Sequence, residues 1–194
     1  MKKQILFATI ALTAVFFSFI AASSTEWSND KVHTKVGFSI THMMISDVEG
    51  SFKNVTIKLT STKDDFSDAE VEFTAESNSI STDNEKRDTH LKSPDFFDVA
   101  KFPTLTFKST SFQKAKEANT YIVKGNLTMH GVTKPVTLNA LARTGVNPMS
   151  KKTVAGFKIS GTVLRSDFAI GSSFPAAMLS EEVQITANAE FSKN

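Results

Sequence analysis

Eight stretches of this chain alternate apolar and polar residues with a period of two, and that alternation restricts the fold more than any other feature. In the first row Val36, Phe38, Ile40, His42 and Met44 alternate with Lys35, Gly37, Ser39 and Thr41. Val55-Ile57-Leu59, Val71-Phe73-Ala75 and Leu105-Phe107 repeat the pattern. So do Tyr121-Val123-Gly125-Leu127-Met129, Val136-Leu138-Ala140-Ala142 and Phe157-Ile159-Gly161-Val163, and Val183-Ile185-Ala187-Ala189-Phe191 closes the chain. Successive side chains of a strand point to opposite faces, so each row is a strand with one apolar and one wet face. Strands of that kind build an antiparallel sheet that is dry on one side. Closing the sheet removes its exposed edges, and the expectation is therefore an all-β fold, an eight-stranded antiparallel barrel.

Turn residues separate the rows at Asp64-Asp65, Ala118-Asn119, His130-Gly131 and Asn147-Pro148. Val48 and Phe52 are out of phase with Val55, which predicts a bulge near Lys53-Asn54. Two segments leave the strand pattern. Thr82-Asp83-Asn84-Glu85 reads as a capping box with Thr82 at the N-cap, starting a short helix through Arg87, Asp88 and His90 that stops before Pro94. Ser173-Phe174-Pro175-Ala176-Ala177-Met178-Leu179 reads as one or two helical turns near a barrel mouth.

Residues 1–24 have the layout of a cleavable export signal. Lys2 and Lys3 precede an apolar run from Ile5 to Ile20, and the small residues Ala21-Ala22-Ser23-Ser24 follow. Residues 25–194 then form a single domain, expected in the periplasm, with secretion to the medium depending on the envelope type. The 194 residues carry 22 Lys+Arg and 20 Asp+Glu. Losing Lys2 and Lys3 leaves a neutral protein, which argues against nucleic acid as the main partner. With no Cys, disulfides, thiolate nucleophiles, Cys-ligated zinc and iron–sulfur clusters are excluded.

On the dry face, small residues (Gly125, Gly161, Ala75, Ala140, Ala187, Ala189) alternate with large ones (Phe38, Phe73, Phe107, Phe157). Eight-stranded barrels either fill their lumen with side chains or keep room for one small apolar ligand, and periodicity leaves both outcomes open. Signals for chemistry are sparse. His33, His42, His90 and His130 show no metal-ligand spacing, and the nine-residue gap between the first two puts them on opposite faces of one strand. No serine sits in a G-x-S-x-G elbow, and no glycine-rich nucleotide loop occurs. Arg165 and Asp167, two apart, read as a same-face ion pair, solvated or lining the mouth, in preference to a catalytic pair. The cluster Arg87, Asp88 and His90 is the one place where an enzyme acting on a lipid-like substrate would find acid–base groups.

Several ordered fragments resemble the YceI-like family of exported bacterial lipocalin-like barrels. They are Trp27-x-x-Asp30-x-x-His33-Thr34-x-Val36-x-Phe38-x-Ile40-x-His42, Val48-x-Gly50-x-Phe52 and Ser79-Ile80-x-Thr82. Arg87-Asp88-x-His90-Leu91-x-Ser93-x-Asp95-Phe96-Phe97-Asp98 and Phe102-Pro103-x-x-x-Phe107-x-Ser109 follow. Gly125-x-Leu127-Thr128-x-x-Gly131-Val132-Thr133-x-Pro135-Val136 and Arg165-x-Asp167-Phe168-x-Ile170-Gly171 complete the set. Ala169 departs from a glycine frequent at that place in the family. The resemblance implies a carrier or reservoir holding a long-chain lipid (a polyisoprenoid, isoprenoid quinone or fatty-acid derivative) in the lumen. No catalytic residue, metal or cofactor comes with it. The expected lumen lining is Phe38, Ile40, Phe73, Phe107, Leu127, Val163 and Phe168, with Arg87 and His90 at the mouth toward a head group. Contact with a membrane for lipid exchange and a homodimer are compatible with this reading, and a solid-core interaction domain is the structural alternative.

Overall fold

The computed structural model describes residues 25–194; the export signal expected at 1–24 lies outside the described residues. Ten strands and one helix follow in the order β1 (Thr25–His42), β2 (Ser46–Phe52), β3 (Val55–Ser61), β4 (Glu70–Glu76), β5 (Ile80–Ser81), α1 (Glu85–Leu91), β6 (Thr104–Lys114), β7 (Thr120–Met129), β8 (Val132–Val146), β9 (Thr153–Leu164) and β10 (Leu179–Lys193). All pairings are antiparallel. The ring runs β1–β3–β4–β6–β7–β8–β9–β10 and closes where β10 pairs with β1. This is the closed eight-stranded barrel that the alternation predicts, and the eight apolar rows are its eight staves.

The two extra strands have a simple origin. β2 and β3 are consecutive partners of the long β1: Val36 faces Phe52 at one end, and Trp27 faces Leu59 at the other. Lys53 and Asn54 interrupt them, and the backbone groups there turn to Ser79 and Glu76 instead. The irregularity expected at that point is therefore a two-residue break, not a one-residue bulge. β5 is a two-residue addition to β2. Bulges lie elsewhere, between Asp30 and Lys35, between Ile40 and His42, and between Ser109 and Ser111.

The strand directions collect the long connections at one end. The β1–β2 turn at 43–45, residues 77–103 with α1, the two-residue turn His130-Gly131 and residues 165–178 all lie at the same rim. His130 and Gly131 both have positive φ, 50° and 76°, as a tight hairpin of this hand requires. The start of β1, the end of β10 and the connections 62–69, 115–119 and 147–152 form the other end. That end is plugged by aromatic rings. Trp27 packs on Phe66 at 5.0 Å, Phe66 on Phe157 at 5.0 Å, and Phe157 on Phe112 and Phe191 at 6.3 and 5.9 Å. Edge-to-face pairs of this kind add to the area they bury. Lacking any disulfide, the chain relies on this floor and the strand ladder for its stability.

Candidate functional site

Gly125 in β7 and Gly161 in β9 show how the lumen is shaped. A Cβ at Gly125 would strike the Phe107 ring and lie 2.5 Å from the Lys108 carbonyl oxygen, and one at Gly161 would strike the Leu138 side chain. Both glycines are occupied space: they admit a large side chain of the neighbouring strand. Ala75 and Ala140, 0% and 2% exposed, are likewise packed into the core. Ala187 and Ala189 instead face an open volume. Interdigitation and a channel thus coexist, in different layers of one barrel.

The larger of the two lumen cavities, about 350 Å³, opens at the rim that carries α1. Its walls include Phe38, Ile40, Phe73, Leu127 and Val163 as the alternation predicts, and Arg87 and His90 reach it from α1. Phe107 lines a second, deeper cavity of about 120 Å³ together with Phe73 and Leu127. Phe168 is a correction. It is 1% exposed and lines neither cavity, because residues 165–168 coil into a 3-10 turn that drives the ring into the core. The sequence pattern does not single out Phe52, Phe96, Phe97 and Phe174, which complete the collar. Phe52 bridges Phe38 and Phe97 at 6.1 and 5.9 Å, while Phe96 stacks on Phe174 at 5.0 Å. These residues sit in non-strand segments or at a strand end, where period two carries no information.

The helix cap also differs from expectation. Asn84, not Thr82, is the N-cap; its side-chain oxygen accepts from the Arg87 amide at 3.0 Å. Thr82 is buried beneath the helix, where its hydroxyl donates to Asp88 Oδ1 at 2.5 Å and accepts from Arg87 Nε at 2.7 Å. Arg87 Nη2 donates to the Thr82 carbonyl at 2.9 Å, and Nη1 has no protein partner among the described residues. Arg87 therefore stands at the cavity wall with donors to spare. His90 pairs through Nε2 with Asp95 Oδ2 at 3.1 Å and meets Phe96 and Phe174 edge-on. Arg87 and Asp88 thus meet at the Thr82 hydroxyl, whereas His90 is paired separately with Asp95.

Arg165 lines the mouth, one of the two places its spacing allows, but it pairs with Glu181 instead of Asp167. It is 3% exposed, far from a solvated pair with Asp167, which lies 3.9 Å from Lys134 Nζ. Its guanidinium donates to the carbonyls of Ser180, Ile170, Gly171, Phe174 and Leu179 and to Glu181 Oε1, at 2.5–3.3 Å. All five N–H groups are consumed. Although Arg165 borders the cavity, it fastens the rim and has nothing left for a ligand. Residues 175–179 close one turn of the kind expected near the mouth, the Pro175 carbonyl accepting from the Met178 and Leu179 amides at 2.8 and 3.1 Å, while the Phe174 carbonyl is taken by the guanidinium. Ala169 ends the preceding 3-10 turn at φ 54°, so the left-handed backbone that a glycine would favour is kept with an alanine.

At the closed end, Asp30, His33 and Glu190 have ligand atoms within 4.8 Å of one another. His33 Nδ1 is 2.9 Å from Asp30 Oδ2. That hydrogen bond, with attraction from Asp30 and Glu190, raises the His33 pKa, and the Asp30 carboxyl is lowered by the same bond. His42 lines the cavity at the other end, so the two histidines share no site and lie at opposite ends of β1, whose pairing is irregular between Asp30 and Lys35.

A family model described as the YceI-like domain matches residues 27–191. Protein YceI of Salmonella newport (strain SL254) is 38% identical over 193 residues, covering 98% of this chain and 97% of the relative. The YceI protein of Campylobacter jejuni has a crystal structure that superposes with a TM-score of 0.72 at 32% identity, covering 85% of this chain and 96% of that one. Burkholderia cenocepacia BcnA shares the fold at a TM-score of 0.74 and 22% identity, over 84% and 99% of the two chains. A domain from Saccharophagus degradans described as polyisoprenoid binding shares it at 0.59 and 14%, over 87% and 98%. A lumen open at one rim, the shared barrel and an end-to-end match to the family's domain all agree: this chain belongs to the YceI-like family.

Proposed function

We propose that this protein is an exported carrier or reservoir that holds the hydrocarbon chain of a lipid inside its barrel. The observation that carries the reading is the cavity of about 350 Å³, walled mainly by apolar side chains, open at the rim and closed at the aromatic floor. Its size is within the roughly 300–1,000 Å³ typical of small-molecule sites. Burying a chain there yields about 25 cal/mol per Å² of apolar surface before ordering costs. The polyisoprenoid-binding description of the Saccharophagus relative supports a polyisoprenoid, isoprenoid quinone or fatty-acid derivative as the ligand class. The free Nη1 of Arg87, beside His90, faces a polar head group at the mouth.

The rim also offers a way to meet a membrane. Met44 and Ile45 are 79% and 83% exposed, and Met43, half-exposed, is bonded through its amide to the carbonyl of Met178 on the cavity wall. An exposed apolar tip beside the opening suits loading from a lipid surface in the periplasm. Binding is favoured over turnover because Asp88 and His90 are engaged by different partners.

Organic-solvent extraction of freshly purified protein, followed by mass spectrometry, tests the reading. About one lipid per chain is expected, falling sharply in Leu127→Trp while the fold persists. Lipid-free protein that also fails to take up added lipid overturns it.

A further inference from the structure

The lumen is not one volume. The upper cavity, of about 350 Å³, and the lower one, of about 120 Å³, have four wall residues in common: Val36, Phe73, Leu127 and Ile185. These come from β1, β4, β7 and β10, with β10 and β1 neighbours in the ring, β7 opposite β1 and β4 between them, so the four side chains mark the waist where the two cavities meet. Above it the walls include Thr82, Arg87, His90 and Arg165. Below it every lining residue is apolar, among them Ile57, Phe107, Leu138, Ile159, Ala187 and Ala189. Nothing there can pair a hydroxyl or a carboxylate, and a buried polar group without a partner is strongly disfavoured.

We propose that the waist and the chamber below it form a subsite for the unfunctionalised end of the ligand's hydrocarbon chain, and that this subsite sets the chain length bound best. The inference rests on the carrier reading and adds to it. A chain anchored at the mouth fills the upper cavity first, and only a longer one threads Val36, Phe73, Leu127 and Ile185. Each further methylene buried contributes about fourfold in affinity until the lower chamber is full. Beyond that, added carbons stay outside and gain nothing. Tails ending in a polar group stop at the waist.

Titration calorimetry with the fatty-acid series from octanoate to stearate reads this out, using wild type and Ala187→Leu. Ala187 touches only the lower chamber, and the substitution adds about three carbons of bulk there. In the wild type, affinity should climb about fourfold per methylene and then level off. In Ala187→Leu, octanoate should bind as in wild type, and the levelling point should move to chains about three carbons shorter. Ala189→Val, a smaller plug in the same chamber, should move it less and serves where the leucine variant does not fold. An unmoved levelling point in a folded variant, or equal weakening of short and long acids, overturns the length-setting role and leaves the carrier reading standing. Absence of binding to the wild type by every acid also overturns the length-setting role, while the carrier reading falls only with protein that is lipid-free on extraction and takes up no added lipid.

Discussion

Replacing Arg165 with alanine tests the account of the rim. The guanidinium satisfies five carbonyls and one Glu181 oxygen from a position 3% exposed. An orphaned buried acceptor costs about 1–3 kcal/mol, and five of them would exceed what a domain of this size can spare. Water entering from the adjacent cavity recovers part of that, so the net loss expected is about 3–5 kcal/mol, as for a buried pair broken on one side. For a chain of this length, that corresponds to a fall in melting temperature of roughly 6–20 °C. Arg165→Lys, with three donors for six acceptors, should fall between the two. Thermal and urea unfolding give the magnitude, and amide hydrogen exchange gives the place: residues 165–181 should lose protection before the strands do. An alanine variant destabilised by under about 1 kcal/mol, with protection of 165–181 intact, would refute the fastening role.

Three further outcomes follow from particular residues. Ala169→Gly should stabilise by up to about 1 kcal/mol, since Ala169 holds φ 54° and glycine bears that backbone without a Cβ penalty; a loss measured by urea unfolding would contradict it. Gly125→Ala should destabilise by about 1–3 kcal/mol, because the new Cβ meets the Lys108 carbonyl oxygen at 2.5 Å and a backbone atom does not yield as a side chain does; an unchanged melting temperature would show that β6 and β7 have slack. His33 should titrate in NMR above its ordinary value, and Asp30→Asn should lower it most of the way back, with Glu190 still raising it slightly. Because the folded-state pKa is the raised one, the pair's contribution is present below the unfolded value and lost as pH rises through the folded one. A His33 titration that Asp30→Asn leaves in place would remove the pair as its cause.

The barrel was legible because alternation reports which face of each strand is dry, and the Val48–Phe52 row even flags the break at Lys53-Asn54. What alternation does not report is the level at which each inward residue lies. That level depends on strand tilt and register, fixed by pairings such as Phe107 with Leu127 and Ile185 with Gly161. Hence Gly125 and Gly161 look like Ala187 and Ala189 in the sequence, although the glycines receive neighbours' side chains and the alanines border open space. Arg165 keeps the inward parity of Gly161 and Val163 and is buried, but spacing does not show that rim carbonyls surround its charge; the 3-10 turn that it starts takes Phe168 off that parity and into the core. The cap at Asn84 went unseen because Thr82, two residues earlier, carries the same type of hydrogen-bonding oxygen and is used beneath the helix.

The claim on which the functional account depends is that a hydrocarbon chain enters the barrel. Diffraction from crystals of the protein saturated with stearate brominated at mid-chain addresses it directly through the anomalous signal of bromine. The account predicts a single peak inside the lumen, ringed by Phe38, Leu105, Leu127 and Val163. A peak confined to the outer surface, or no peak from saturated crystals, would contradict it.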